Sequence, residues 1–256
     1  MTIKSNAMRT IWYLSKKVSA ACYMYVLAAF FLLMQTGFNL YQTIEGIREF
    51  PIILVLFYAI FSSILIDFIV RKRTRYGLKL LLYGIAGFAF FLPYGFNIFT
   101  IIAGIIGCFL AFIYYSGVII ATYSRPFTYL FAILLPIVLT ITFTVDFTQK
   151  KSWSETYADD SYTASFGYFN GKQEIPVHLD KGQVLYITIH INNKNGGGYG
   201  WHFLDDNKSY AQVDIINDNQ YILTAHQTGT YKIIVTGDRL KGSMHVSWGF
   251  HSDHDV

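Results

Sequence analysis

The stretch FIVRKRTRYGLKLLL (Phe68–Leu82) sets five basic residues, Arg71, Lys72, Arg73, Arg75 and Lys79, between two apolar runs. It admits three readings: a nucleic-acid patch, a targeting signal or a marker of membrane orientation. The surrounding sequence decides among them. Of 256 residues, 53% are hydrophobic and 14% charged, too apolar a mixture for an ordinary soluble domain. Outside the basic stretch, residues 18–147 are nearly free of charge, whereas the chain from Gln149 onward is polar and rich in Asp, Asn, Gly and Tyr. Charge divides the same way. Residues 1–148 carry eleven Lys and Arg against four Asp and Glu, and the remainder carries nine against twelve. The positive charge therefore flanks apolar segments instead of covering a folded surface, which argues against nucleic acid as a partner.

A hydrocarbon layer about 30 Å thick needs roughly 20 mainly apolar residues as helix, because backbone polar groups in lipid must satisfy one another. Five stretches meet or approach that length: about 18–40, 52–70, 78–93, 98–121 and 127–147. Pro51 opens the second at a helix start, where proline costs little. The turn LPYGFN (Leu92–Asn97) separates the third from the fourth. Lys and Arg near helix ends are retained in the cytoplasm. Lys4, Arg9, Lys16 and Lys17 before the first span, the five-residue cluster after the second, and Arg125 before the fifth all fall on one side of a five-span chain. The basic cluster thus predicts orientation, with the N-terminus cytoplasmic and the C-terminal part outside the plasma membrane. It also predicts contact with anionic lipid head groups. The first run is longer than a signal-peptide core and lacks a small-residue cleavage site, so a cleaved leader is not expected.

After a linker at 149–161, residues 162–250 change to short alternating segments. QVLYITIHI (Gln183–Ile191) sets Leu185, Ile187, Ile189 and Ile191 on one face; YKIIVTG and SMHVSWGF alternate likewise. ASFGYF, EIPVHL, YGWHFL, YAQVDII and QYILTA complete about eight expected strands. LDKGQ, NNKNGGGYG, NDNQ, QTGT and GDRLKG read as the turns between them. The predicted architecture is a five-helix transmembrane bundle followed by an all-β extracellular antiparallel sandwich. VHLDKGQVLYITI, followed by LTAHQTGTYKIIVTG and GSMHVSW, resembles the extracellular β-sandwiches of the bacterial pre-peptidase C-terminal type and the related GOLD-like class. The resemblance covers about residues 162–250. It implies a non-catalytic accessory or binding module and carries over no catalytic residue.

Candidate sites are few. NNKNGGGYGWHFLDD (Asn192–Asp206) joins a glycine-rich loop to Tyr199, Trp201, His202, Asp205 and Asp206. Aromatics beside carboxylates suit a sugar or a calcium ion, while the alternative is a hairpin whose Trp201 and Phe203 enter the core. All seven histidines lie after residue 177, and the tail 251–256 offers His251, Asp253 and His254 as zinc or copper ligands, although strand histidines are commonly solvent-facing polar positions. Asp67 is the notable charge among the spans, and Arg71 four residues later predicts an ion pair on one helix face. YGIAG (Tyr83–Gly87) and AGIIG (Ala103–Gly107) predict close approach of the third and fourth helices. Cys22 and Cys108 sit within apolar runs, and no nucleophile elbow occurs. No cofactor is expected. These features point to a bacterial envelope protein that binds, senses or assembles with a protein or polysaccharide partner without catalysis. Transport of a small solute or ion is the rival reading, and a lipid-acting membrane enzyme a weaker one.

Overall fold

The computed structural model describes residues 2–49, 52–70 and 76–250, and the chain divides into two compact units, Met1–Asp146 and Phe147–Val256. The first unit is helical: α1 (Thr2–Gln35), α2 (Leu40–Glu49), α3 (Ile52–Ile69), α4 (Tyr76–Ala89), α5 (Ile98–Tyr123), α6 (Arg125–Tyr129) and α7 (Leu135–Thr144). Among the described residues, four helical segments are long and apolar enough to cross a membrane: Ala7–Gln35, Tyr76–Tyr94, Ile98–Tyr123 and Arg125–Thr142. A fifth arises if α2 and α3, bent by 63°, count as one broken span.

The helix boundaries have local causes. The first apolar run was expected to continue to residue 40, but α1 stops at Gln35 because Gly37 and Phe38 both turn left-handed, at φ 60° and 62°. Asn39 then caps α2, its side chain accepting from the Gln42 amide at 3.3 Å. Thus α2 replaces the loop expected there. Its Thr43, Ile44 and Ile47 are buried while Leu40, Gly46 and Arg48 are exposed. Asn97 caps α5 in the same way, accepting from Thr100 at 3.0 Å. Between α6 and α7 the helix widens to π geometry over Leu130–Leu134, where the Leu135 amide reaches back to the Leu130 carbonyl. Pro136 follows directly, and its missing N–H and ring clash explain the local shift in bonding.

The core of this unit is small and rich in tyrosine: Ala20, Ala21, Met24, Ile66, Tyr83, Tyr114 and Tyr115. Tyr83 stacks on Tyr115 with ring centroids 4.8 Å apart. The expected close approach of α4 and α5 is present. A Cβ added at Gly87 would overlap the Gly107 carbonyl, and one at Gly107 would overlap that of Gly87. The Cys108 thiol donates to the Gly84 carbonyl at 3.1 Å across the same contact. Large apolar side chains instead line the outside, among them Phe57, Phe61, Phe99 and Phe109.

The second unit is one antiparallel sheet of eight strands among the described residues: β1 (Gln149–Lys151), β2 (Ser154–Ala158), β3 (Ser161–Leu179), β4 (Val184–Asn193), β5 (Gly198–Leu204), β6 (Val213–Asn217), β7 (Gln220–Thr224) and β8 (Gly229–Phe250). Two features depart from expectation. The stretch 149–161, read as a linker, carries β1 and β2, both paired with β3. And GDRLKG, read as a turn, lies inside β8, just as ASFGYF and EIPVHL merge into β3.

Paired bulges make this continuity possible. Four residues of β3 (Phe166 to Phe169) run against three of β8 (Gly242 to Leu240), and then three of β3 (Phe169 to Gly171) run against four of β8 (Leu240 to Gly237). Each extra residue shifts the alternation. Buried positions on β3 pass from Tyr162, Ala164 and Phe166 to Phe169, Ile175 and Val177, and those on β8 from Tyr231, Ile233 and Val235 to Leu240, Met244 and Val246. Arg239 supplies the bend on β8 at φ 52°. The first part of β8 is flanked by β3 and β5, the second by β3 and β4. The inward residues of all these strands join one buried cluster.

Candidate functional site

The helical unit gathers its charges at one place. Lys17 of α1, Asp67 of α3 and Lys79 of α4 meet where the first part of α1, the last turn of α3 and the first turn of α4 come together. The Lys17 ammonium donates to Asp67 Oδ2 at 2.6 Å and to Ser63 Oγ at 2.7 Å. Lys79 donates to Asp67 Oδ1 at 2.6 Å, and the Tyr13 hydroxyl donates to Asp67 Oδ2 at 3.0 Å. Ser63 Oγ is hydrogen-bonded in turn to the Tyr83 hydroxyl, and the Tyr114 hydroxyl donates to the Lys17 carbonyl at 3.4 Å. Lys17 is only 2% exposed, so its charge must be met inside the protein. Two ammonium groups share one carboxylate, leaving the cluster net positive.

Its chemistry follows from who donates. Ser63 and Lys17 have the separation of a serine nucleophile and a lysine base. Yet Lys17 also donates to Asp67, and an ion-paired ammonium has no lone pair with which to take the serine proton. Ser63 is fully buried besides. The arrangement is therefore suited to joining three helices rather than to attacking a substrate. Beside it, between α3, α4 and α5, lies an apolar cavity of about 60 Å³ whose lining includes Tyr58, Ser62, Tyr83, Phe90 and Tyr114.

Of the residues picked out as orientation and lipid contacts, Lys79 belongs to this cluster, while Arg71, Lys72, Arg73 and Arg75 lie outside the described residues. The expected Asp67–Arg71 pair falls there too; the described partners of Asp67 are Lys17, Lys79 and Tyr13. Lys17 itself was read only as one of several basic residues ahead of the first span. Its partner lies fifty residues away, and no spacing rule reaches that far.

On the sheet, Tyr199, Trp201 and Phe203 follow one another along one face of β5. Tyr199 is about half exposed and stacks on Trp201 at 6.1 Å, Trp201 meets the edge of Tyr221, and Phe203 is buried in the core. His202 lies on the other face, its ring 5.5 Å from that of Tyr210. The two carboxylates are engaged by backbone: Asp205 Oδ1 accepts from the Ser209 amide of its own turn at 2.8 Å, and Asp206 Oδ1 from the Thr230 amide at the start of β8 at 3.1 Å. The five residues thus form an aromatic strand followed by one carboxylate that caps a turn and one that ties the strand end to β8. His251, Asp253 and His254 lie outside the described residues, and among those described no group of three or more His, Cys, Asp or Glu side chains could hold a metal.

The sheet also carries a charge cluster that alternation alone did not single out. Glu174 on β3 accepts from Lys172 at 2.7 Å and from Lys232 of β8 at 2.8 Å. These bonds hold its carboxyl down to about 2, with Lys172 the larger influence. Glu155 accepts from Tyr162 at 2.6 Å and from the Trp153 indole at 2.7 Å, which lowers its carboxyl as well and ties β2 to β3.

No family model and no curated relative matches the sequence. Among solved structures, the chain is similar over 41% of its length to 90% of a chain in the crystal structure of accessory secretory protein 1,2 and 3 in Streptococcus pneumoniae, at 12% identity and a TM-score of 0.26. It is similar over 39% of its length to 87% of Aeromonas hydrophila PliG, a periplasmic lysozyme inhibitor of g-type lysozyme, at 17% identity and a TM-score of 0.23.

Proposed function

We propose that the chain is a bacterial plasma-membrane protein whose helical unit crosses the bilayer and whose β unit, folded as a sandwich, is displayed outside the cell to bind an envelope protein or polysaccharide. The observation that carries the membrane part is the reversal of polarity in the helical unit. Phe57, Phe61, Phe99 and Phe109 face outward at 64% exposure or more, while Lys17 and Ser63 are enclosed. In water those phenyl groups would form patches larger than soluble monomers present; against lipid they cost nothing. Five crossings follow if α2 and α3 divide the work of one, with α2 lying at the surface and α3 entering the bilayer. The position of Lys17, Asp67 and Lys79 supports that alternation, because the last turn of α3 and the first turn of α4 meet there, at the level of Lys17 about halfway along α1.

Binding fits the β unit through the Tyr199–Trp201 ladder, where Tyr199 remains open to solvent. Flat aromatic faces stack on sugar rings or on peptide side chains. Protease added to intact cells is expected to release the β unit and spare the stretch around Arg71–Arg75. Protection of the C-terminal part until the membrane is opened would overturn the orientation. Loss of envelope-polysaccharide binding on Tyr199→Ala, with unchanged folding, would support the binding role, and unchanged retention would refute this surface. Transport is the second reading, favoured by the buried charge cluster beside the α3–α4–α5 cavity. Solute flux into proteoliposomes containing the purified chain, abolished by Asp67→Asn, would establish it in place of the first.

A further inference from the structure

We propose that His190 of β4 and His245 of β8 form a two-imidazole site for a divalent transition-metal ion, Cu²⁺ above Zn²⁺, on the outer face of the sheet. The two residues are directly opposite one another in the antiparallel ladder. Opposite residues project to the same face with Cβ atoms about 4.5–5.5 Å apart. That face is the outer one, since Leu185, Ile187 and Ile189 of β4 and Met244 and Val246 of β8 occupy the core side, and both histidines are exposed.

A second contact prepares one of the rings. Thr163, the neighbour of His245 on β3, is hydrogen-bonded through Oγ1 to His245 Nδ1 at 2.8 Å. With Nδ1–H donating to the threonine, the lone pair resides on Nε2, the nitrogen farther from the backbone. Metal-bound histidines commonly have their second nitrogen engaged in this manner, which sets the tautomer and the ring orientation. Metal–nitrogen bonds of about 2.0–2.1 Å need two ligating nitrogens roughly 3 Å apart, a separation that side chains of an opposed pair can reach. The positions next along the same face are Thr188 and Asn192 on β4 and Ser243 and Ser247 on β8. All are neutral, so a dication approaching the pair meets no ammonium or guanidinium there. Imidazole with water completing the shell suits Cu²⁺, Ni²⁺ and Zn²⁺ and excludes the oxygen-seeking Mg²⁺ and Ca²⁺; among the first three, Cu²⁺ binds tightest.

The test uses the full chain, purified in detergent without a polyhistidine tag and titrated with glycine-buffered Cu²⁺. Calorimetry is expected to show one ion per chain at this site, and electron paramagnetic resonance to show coupling to two imidazole nitrogens. His190→Ala and His245→Ala should each weaken binding at least tenfold and remove the two-nitrogen signal. Thr163→Val should weaken it by about tenfold while preserving both nitrogens. Because all three side chains are exposed, the thermal midpoints of these variants should match that of the parent chain, which separates lost ligation from lost folding. The paired substitution His251→Ala with His254→Ala reports the tail and should leave the two-nitrogen signal intact. No binding by the parent chain, binding by His190→Ala and His245→Ala as tight as the parent's, or loss only in the tail variant would each overturn the proposal.

Discussion

Lys17 and Asp67, fifty residues apart in the chain, meet at 2.6 Å, and the lysine that makes this bond is almost wholly enclosed. The two ends of the bond are not equivalent. Without Asp67, Lys17 retains only Ser63 among the side-chain acceptors described here; without Lys17, Asp67 still has Lys79 and Tyr13. Asp67→Asn is therefore expected to destabilise the helical unit by about 3 kcal/mol or more, the usual cost of leaving a buried charge uncompensated. Lys17→Met should cost distinctly less, and the double substitution should recover much of the loss caused by Asp67→Asn. Thermal unfolding in detergent measures all three. A larger loss for Lys17→Met than for Asp67→Asn would contradict this asymmetry.

Gly87 and Gly107 let α4 and α5 touch through their backbones. Gly87→Ala must displace the Gly107 carbonyl and Ala111, so the helices have to separate; overpacking of this kind costs about 1–3 kcal/mol. Gly46→Ala on α2 is the control, since nothing lies within 4 Å of its added Cβ. That substitution should be neutral or slightly stabilising, because alanine loses less entropy in a helix. Equal unfolding temperatures for the two variants would count against the close contact.

Gly242 occupies the bend of β8 at φ 140°, and a Cβ there would also run into the Asn192 carbonyl. Both strain and overlap oppose any side chain. Gly242→Ala should lower the stability of the β unit by about 3 kcal/mol or more. Fluorescence of Trp153, Trp201 and Trp248 during chemical unfolding follows the β unit. An unchanged denaturation midpoint would show that the bend tolerates a side chain.

Glu174 makes stability depend on acid. Its carboxyl is held at about 2 in the folded chain against an ordinary 4.5, so the unfolded chain takes up the proton first as pH falls. The contribution is complete above the ordinary value, declines below it and is gone once pH passes about 2. Glu174→Gln should lower the neutral-pH midpoint and reduce the loss of stability between pH 5 and 2 by a matching amount, a modest one since the group is partly exposed and water screens its ion pairs. Parallel acid-unfolding curves for parent and variant would remove Glu174 from this role.

Composition and periodicity were enough to divide the chain into an apolar helical part and an alternating β part, because both signals are local: a run of about twenty apolar residues, or a two-residue alternation, is legible wherever it occurs. The glycines of YGIAG and AGIIG likewise announced a tight helix contact. Only the tertiary structure decided which distant residues would share a partner. Arg71 was the visible neighbour of Asp67 and lies outside the described residues; the described contacts come from Lys17, Lys79 and Tyr13, all three on other helices. The bend through GDRLKG was hidden for a related reason. Glycine and aspartate usually end a strand, and what carries β8 onward is a compensating bulge in β3, some seventy residues earlier. His190 and His245 face each other for the same cause. Alternation tells which side of a strand a residue takes, but its opposite number is set by ladder register, and register is a property of assembled strands.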